Sequence, residues 1–311
     1  AMLGIVAPAR TQPVLARMPE VDEVLSLDVR HDELGIKARW ELAGKLKGRY
    51  DRAIVLPRSW KAALVPFLAR IPERVGFLGE QRYGLLKECR KLDKRVLDQT
   101  VKRFVSLGLP EGEVSTGQFA ISRPRLMIDR DNLVNLRIAY QLSSRPAIGL
   151  MPGTEHGSTQ QWPLDHFHRL AERLINDGYE VRIFGGPKEQ HAGDAIAAGL
   201  LHTHNLCGYI GLADVVDLLA DCRQVVTNDS GLMHVAAAVG TRVHAIYGSS
   251  SPACTPPLTA NARIHYLALE CSPCFQRKCP LDHMNCLNKL EVESVYRAIK
   301  SVPHPLKLSA Q

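Results

Sequence analysis

The sequence predicts an α/β protein built from two doubly wound domains, and three observations carry that reading. A chain of 311 residues exceeds one ordinary core and fits two domains of about 150 residues each. Short β-branched runs alternate with helical periodicity from end to end, the pattern of parallel sheets covered by helices. No repeat of solenoid period interrupts that alternation.

The elements follow in order. Leu3–Ala7 reads as a strand, and Arg52–Leu56 as another that stops at Pro57. Trp60–Ala69 has helical spacing, with Trp60, Leu64, Phe67 and Leu68 on one apolar face. Gly112–Arg145 is weak in pattern and carries the charged stretch Arg123–Arg137, so the domain change is placed at its end: residues 1–143 and 144–311. Ala147–Met151 starts a second series of strands. A helix over Asp165–Asn176 is stopped by Gly178. Strand Glu180–Phe184, a helix over Glu189–Leu200, a helix over Asp214–Cys222 and strand Gln224–Thr227 come next. Helix Gly231–Val239, strand Val243–Tyr247, a closing strand within Arg263–Leu269 and helix Val292–Ser301 complete the series.

The chain opens on Ala1 with a strand already under way. A doubly wound domain normally starts with a strand, loop and helix before such a strand, so a βα piece of about 30 residues is expected to be missing from the N-terminal domain.

Composition narrows the class. Hydrophobic residues make up 45% and charged residues 23%, as in soluble globular proteins. No apolar run approaches the ~18–20 residues of a membrane span, and the start lacks the basic and apolar regions of a signal peptide. A cytoplasmic location is the resulting expectation. The net charge of +7 suits an acidic partner such as a phosphorylated substrate or an anionic membrane surface. A solvated basic face explains it equally well. No nucleic-acid partner is expected. The basic, aromatic-bearing segments Lys37–Tyr50 and Arg58–Arg74 fit either a helix resting on anionic lipid or a helix covering a core.

Chemistry concentrates at strand ends. Asn228-Asp229-Ser230-Gly231-Leu232-Met233-His234 follows a β-branched strand and turns into a helix. Ser230 or Asp229 is a natural N-cap, and Gly231 allows a close backbone approach. The amides and dipole of such a helix start suit a diphosphate. An ordinary capped helix with a buried His234 is the plainer alternative. The loop Met151–Pro163 carries Thr154, Ser158 and Thr159, whose hydroxyls are donors for phosphate oxygens. In Phe184-Gly185-Gly186-Pro187-Lys188-Glu189 the G-x-G-x-x-G fingerprint is absent. Glu189 is placed either to accept from ribose hydroxyls or to favour a helix start.

Four of the eight cysteines crowd together as Cys271, Cys274, Cys279 and Cys286, with His283 among them. Their density suggests a structural zinc site, although the spacing is not that of a standard zinc finger. Reduced thiols and disulfides remain open as alternatives.

Taken together, these segments resemble glycosyltransferase family 9, the ADP-heptose:lipopolysaccharide heptosyltransferases. The likeness rests on Ala7-Pro8-Ala9, Leu15–Val21, Tyr50–Ala53, Ala63–Phe67, Arg82–Leu86, Trp162-Pro163, Asn228–Ala238, Tyr247-Gly248 and Ser250-Ser251-Pro252, in the family's order. It implies a GT-B fold, two Rossmann-like domains facing a cleft, the first binding acceptor and the second binding ADP-heptose. The implied reaction is an inverting transfer of L-glycero-D-manno-heptose onto the heptosyl-Kdo-lipid A inner core in lipopolysaccharide biosynthesis, with no cofactor required for the chemistry. A peripheral place on the cytoplasmic face of the inner membrane goes with a lipid-linked acceptor.

By the same resemblance, Asp229, Ser230, Gly231, Met233 and His234 lie near the donor. Thr154, Ser158, Thr159 and Gln160 face its phosphates and Glu189 its nucleoside. Arg58, Lys61 and Arg82 are the candidates for the anionic acceptor. Two departures stand out. The family's proposed Asp base belongs to the first strand–helix loop, within the segment expected to be missing. Gln160 also stands where the family usually has a phosphate-pairing Lys, and one lost charge-assisted contact costs about 1.5–3 kcal/mol. A sister enzyme with another core acceptor, or a nucleotide-sugar-binding module without turnover, are the alternative readings.

Overall fold

The computed structural model describes residues 1–30, 33–154 and 157–302, apart from the side chain of Ser158. The first half builds strands β1 (Gly4–Ala7), β2 (Glu23–Ser26), β3 (Arg52–Val55), β4 (Glu73–Phe77) and β5 (Glu88–Arg90). Its helices are α1 (Gln12–Leu15), α2 (Ile36–Leu46), α3 (Trp60–Leu68), α4 (Thr100–Ser106) and α5 (Glu111–Val114). The second half builds strands β6 (Ala147–Met151), β7 (Glu180–Ile183), β8 (Thr203–Asn205), β9 (Cys222–Asn228), β10 (Arg242–Ile246) and β11 (Ala262–His265). Its helices are α6 (Arg130–Ala139), α7 (Leu164–Asn176), α8 (Gln190–Ala197), α9 (Leu212–Asp221), α10 (Gly231–Ala238), α11 (Asn285–Asn288) and α12 (Val292–Lys300).

The chain divides into two compact units. One comprises Ala1–Ala16, Glu20–Ser122 and Ala253–Thr255, the other Arg17–Pro19, Arg123–Pro252 and Pro256–Gln311. The change of unit at Ser122/Arg123 falls earlier than the expected 143/144. Asp129 explains this locally. Its carboxylate caps α6 by accepting from Asn132 N–H at 3.0 Å, while its own N–H donates to the buried carboxylate of Asp217 on α9 at 2.8 Å. Helix α6 is thereby tied to α9 and packs with the second unit.

The first unit holds two parallel sheets, β1-β2 and β3-β4-β5. Sequence periodicity missed β2, β4, β5 and α4, whereas α2 matches the helix read over Lys37–Tyr50. Apolar positions in this unit are few and broken by charge: α2 buries Leu42, Ala43 and Leu46 beside Arg39, whose guanidinium donates to the Leu34 and Lys61 carbonyls. The apolar face expected of the helix at Trp60 is also corrected. Trp60 and Phe67 are exposed, and α3 buries Ala63, Val65 and Pro66 instead.

The second unit contains one six-stranded parallel sheet in the order β11-β10-β9-β6-β7-β8. Every residue of β6 and β7 is buried, because helices cover both faces of a doubly wound sheet. Helix α7 supplies Phe167, Leu170, Ala171 and Leu174 to one layer of this core. It ends as the sequence predicts. Gly178 adopts φ +87°, its N–H donates to Ile175 O, and Tyr179 N–H donates to Leu174 O, a Schellman stop.

Buried polar groups bind the sheet at the ends away from the ligand-binding edge. Glu180 is fully buried and accepts from Arg182 Nε at 2.8 Å and Ser143 N–H at 2.6 Å, with His204 Nε2 at 3.4 Å. Burial alone would raise its pKa, but the hydrogen bonds from His204, Ser143 and Arg182 bring it down to about 2. Farther along the sheet, Gln224 donates through Nε2 to Ile299 O, which turns its Oε1 toward His244 Nε2 at 2.8 Å. His244 therefore donates through Nε2, and its Nδ1 accepts from His265 Nε2 at 3.1 Å. Both rings are neutral. Burial pushes their pKa values down to about 3 and about 4.

These groups predict acid sensitivity. The unfolded chain protonates the two histidines near the ordinary value of 6.5 while the native state refuses the protons. Stability falls as pH drops below that value. Glu180 adds a second loss between its ordinary 4.5 and about 2. Urea unfolding at a series of pH values is expected to show midpoints declining from near neutrality, and His244→Gln is expected to flatten the first part of that decline. An unchanged profile in the variant would refute the assignment.

Candidate functional site

Strand order reverses between β6 and β9, and open α/β sheets bind ligands outside the carboxyl ends of strands at such a point. The loops after β6 and β9 therefore frame the candidate site.

Asn228, the last residue of β9, is buried and fastens both ends of the first loop. Its Nδ2 donates to Pro152 O at 2.7 Å, and its Oδ1 accepts from Trp162 N–H at 3.0 Å. Trp162 is fully buried, donates through Nε1 to Leu290 O and meets Phe167 edge-on. Sequence reasoning placed Asn228 among ligand-facing residues. The structure makes it a brace for the loop, a role with no sequence signal beyond one polar residue ending an apolar strand.

Helix α10 starts directly after. Ser230 holds the N-cap position with extended backbone, but its side chain makes no capping bond; its Oγ lies 3.3 Å from Thr227 Oγ1. The expected side-chain cap by Ser230 is thus absent, and that hydroxyl does not cover the first-turn amides. A Cβ added at Gly231 would meet nothing within 4 Å. Protein packing does not require glycine here, and the space before the helix is open. Asp229 N–H donates to Ile246 O. His234 stands exposed on α10; desolvation by nearby protein lowers its pKa and Asp229 opposes that shift. Met233 points away from any ligand. It is fully buried in the core beneath the helix, its sulfur accepting from Tyr247 OH at 3.6 Å.

Within the first loop, Thr154 Oγ1 donates to Gln160 Oε1 at 3.2 Å. Thr159 is buried and its hydroxyl is engaged: it donates to Gln276 O at 2.6 Å and accepts from Ser249 Oγ at 3.2 Å. That removes Thr159 from the phosphate donors. Ser158 opens a 3-10 turn over Ser158–Gln160; its side chain lies outside the described residues. Glu189 accepts from Gly186 N–H at 2.8 Å, which supports the helix-start reading. Its Cγ would stand 3.0 Å from a Cβ on Gly153, so it also sits over the start of the first loop. Sequence reasoning gave no role to Ser250. This residue is 5% exposed and its hydroxyl has no hydrogen-bond partner among the described residues.

The three candidate acceptor cations are unlike one another. Arg82 is buried and donates to the carbonyls of Phe77, Pro57 and Ser59. It holds the loops after β3 and β4 together and is not offered to a ligand. Arg58 is exposed and donates to Leu78 O. Lys61 is half-buried in the first turn of α3.

Cys271, Cys274, Cys279 and Cys286 line one cavity of about 20 Å³ together with His283 and Met284. Backbone N–H groups of Met284, Leu281 and His283 hold the Cys279 thiol below its ordinary pKa, whereas burial raises that of Cys286. Among the described residues, no three His, Cys, Asp or Glu side chains are arranged to hold a metal ion. No described helix is long and apolar enough to cross a membrane.

A doubly wound sheet, an open helix start at its switch point and a polar loop braced beside it suit a nucleotide-bearing ligand, as in glycosyltransferases of the GT-B type. Residues 39–285 match Glycosyltransferase family 9 (heptosyltransferase), and the chain belongs to that family. It is 43% identical over 274 residues to lipopolysaccharide heptosyltransferase 2 of Escherichia coli K12, covering 85% of this chain and 79% of that one. Lipooligosaccharide heptosyltransferase 2 of Haemophilus ducreyi is 38% identical over 275 residues, covering 84% and 79%. The solved structure of E. coli ADP-heptose lipopolysaccharide heptosyltransferase II aligns with a TM-score of 0.86 at 38% identity, over 97% of this chain and 89% of that one. E. coli heptosyltransferase WaaC with ADP shares the fold at a TM-score of 0.66 and 17% identity, over 95% and 88%.

Proposed function

We propose that this chain is an inverting transferase that moves L-glycero-D-manno-heptose from ADP-heptose onto a heptosyl-Kdo-lipid A acceptor. The open start of α10 carries this reading. First-turn amides that the Ser230 side chain does not cap, together with the helix dipole, favour an anion, and the empty space at Gly231 leaves room for one. The names of the relatives supply the sugar and the acceptor class. An acceptor hydroxyl attacks the anomeric carbon from the face opposite the ADP, the glycosidic C–O bond to phosphate breaks, and the developing charge on the diphosphate meets the helix start. As the new C–O bond forms, the hydroxyl proton passes to a general base.

Contact with an anionic membrane surface belongs to the same reading. Residues 36–103 hold 18 Lys and Arg against 7 Asp and Glu. Ile36 and Trp40, one helical turn apart on α2, are 61% and 65% exposed beside Lys37.

The test is ADP release from ADP-heptose with defined acceptors. Release is expected only with the heptosyl-Kdo-lipid A acceptor. Turnover on an acceptor lacking the first heptose would point to a sister enzyme, and ADP-heptose binding without transfer would refute catalysis. Gly231→Leu separates ligand from fold. Its Cβ has room, so the melting temperature is expected to stay within a few degrees, while ADP binding drops at least about tenfold, the equivalent of 1.4 kcal/mol. Undiminished ADP binding in this variant would remove the helix start from the site.

A further inference from the structure

The loop carrying the four clustered cysteines takes no part in the transfer as described, yet it is fastened to the donor site repeatedly. Ser272 Oγ donates to Gly248 O at 2.5 Å, and Phe275 N–H donates to Ser249 O at 2.8 Å. Gln276 O accepts from Thr159 Oγ1 at 2.6 Å. The Arg277 carbonyl lies so close to the first loop that a Cβ on Gly157 would stand 3.2 Å from it. Residues 274–278 thus run between the loop after β6 and the loop after β10. The partnerless, buried hydroxyl of Ser250 stands in the second of these.

Charge is distributed unevenly along this arrangement. From Met151 to Pro163 the first loop contains no Lys or Arg, and Gln160 and Gln161 precede its Trp-Pro anchor. A nucleoside diphosphate brings more than one negative charge, which a helix start offsets only in part. Arg277 and Lys278 follow directly on the pinned stretch. Both are exposed, and neither side chain has a hydrogen bond or ion pair among the described residues.

We propose that Arg277 and Lys278 form the cationic arm of the donor site and bind the diphosphate of ADP-heptose, with Ser250 as a hydroxyl donor beside them. This rests on the donor-site reading given above. Thr159 and Ser249 line the cysteine-bearing cavity beside Cys271, Cys274, Cys279 and Cys286, and the Thr159–Gln276 bond returns the arm to the first loop. The ligand class is a nucleoside diphosphate or its sugar ester, recognised by charge-assisted contacts from side chains that lie outside the usual strand-end loop.

Calorimetric binding of ADP and of adenosine to the full chain tests this. Arg277→Ala with Lys278→Ala is expected to weaken ADP by about 10-fold or more and to flatten the salt dependence of ADP binding. Adenosine, lacking phosphate, is expected to bind as in the parent protein, and Arg277→Lys to retain most of the ADP affinity. Lys87→Ala, an exposed lysine of the first unit, serves as the charge control and should change nothing. Undiminished ADP binding in the double variant overturns the arm, as does an equal loss of ADP and adenosine, which would mean collapse of the loop. A parent chain that binds neither ADP nor adenosine overturns the donor-site reading together with the arm.

Discussion

Asn228→Ala is expected to unfasten the donor loop and to lower stability by several kcal/mol. The side chain satisfies Pro152 O and Trp162 N–H at once. Removing it strands the buried Trp162 N–H and leaves Pro152 O with only the longer bond from Gln161 Nε2 at 3.3 Å, at about 1–3 kcal/mol for each group so deprived. For a domain of this size that corresponds to a fall in melting temperature on the order of 10 °C. Binding of ADP should fall further than the stability loss alone explains, because this residue fastens both ends of the loop. Asn228→Asp discriminates between shape and bonding. Its carboxylate still accepts from Trp162 N–H, but it cannot donate to Pro152 O and faces that carbonyl with negative charge. Aspartate is therefore expected to destabilise about as much as alanine. A variant as stable as the parent would show that the brace is replaceable.

Arg182→Met is expected to have the second large effect, about 3–5 kcal/mol. Arg182 is 1% exposed and bonds both Glu180 and Asp221, at 2.8 and 2.7 Å. Removing the cation leaves two carboxylates in the sheet's end without it. Adding Glu180→Leu should recover part of the loss, since the uncompensated charge and not the missing volume dominates the cost. Denaturant unfolding of the single and double variants gives the coupling directly, and additive losses would contradict it.

The second unit was far more legible in the sequence than the first. Its central strand β6 is a continuous apolar run because both faces of the sheet are covered, and its α7 carries apolar residues at helical spacing up to a glycine stop. The first unit offered no such contrast. Strand β2 has no buried residue, and β4 hides Val75–Phe77 behind Glu73 and Arg74. The site divides along the same line. The helix start at Gly231 and the switch-point loop follow from strand, loop and helix order. The duties of Asn228, Thr159 and Arg82 do not, because each is decided by a carbonyl far away in sequence: Pro152 for the first, Gln276 for the second, Phe77, Pro57 and Ser59 for the third. Residue type shows that a side chain has donors to give. Only the fold shows which of them are already spent.

The short segment Arg17–Pro19 belongs to the second unit although the chain on either side belongs to the first. Arg17 donates to the fully buried Asp217 at 2.8 Å, across 200 residues of sequence, in company with Asn132. Arg17 leaves the ribosome early and waits for Asp217 to be made. A contact that closes so long a loop carries its entropic cost late in folding. The second unit therefore closes around a residue far upstream of its other parts, and no single stretch of chain contains all of them.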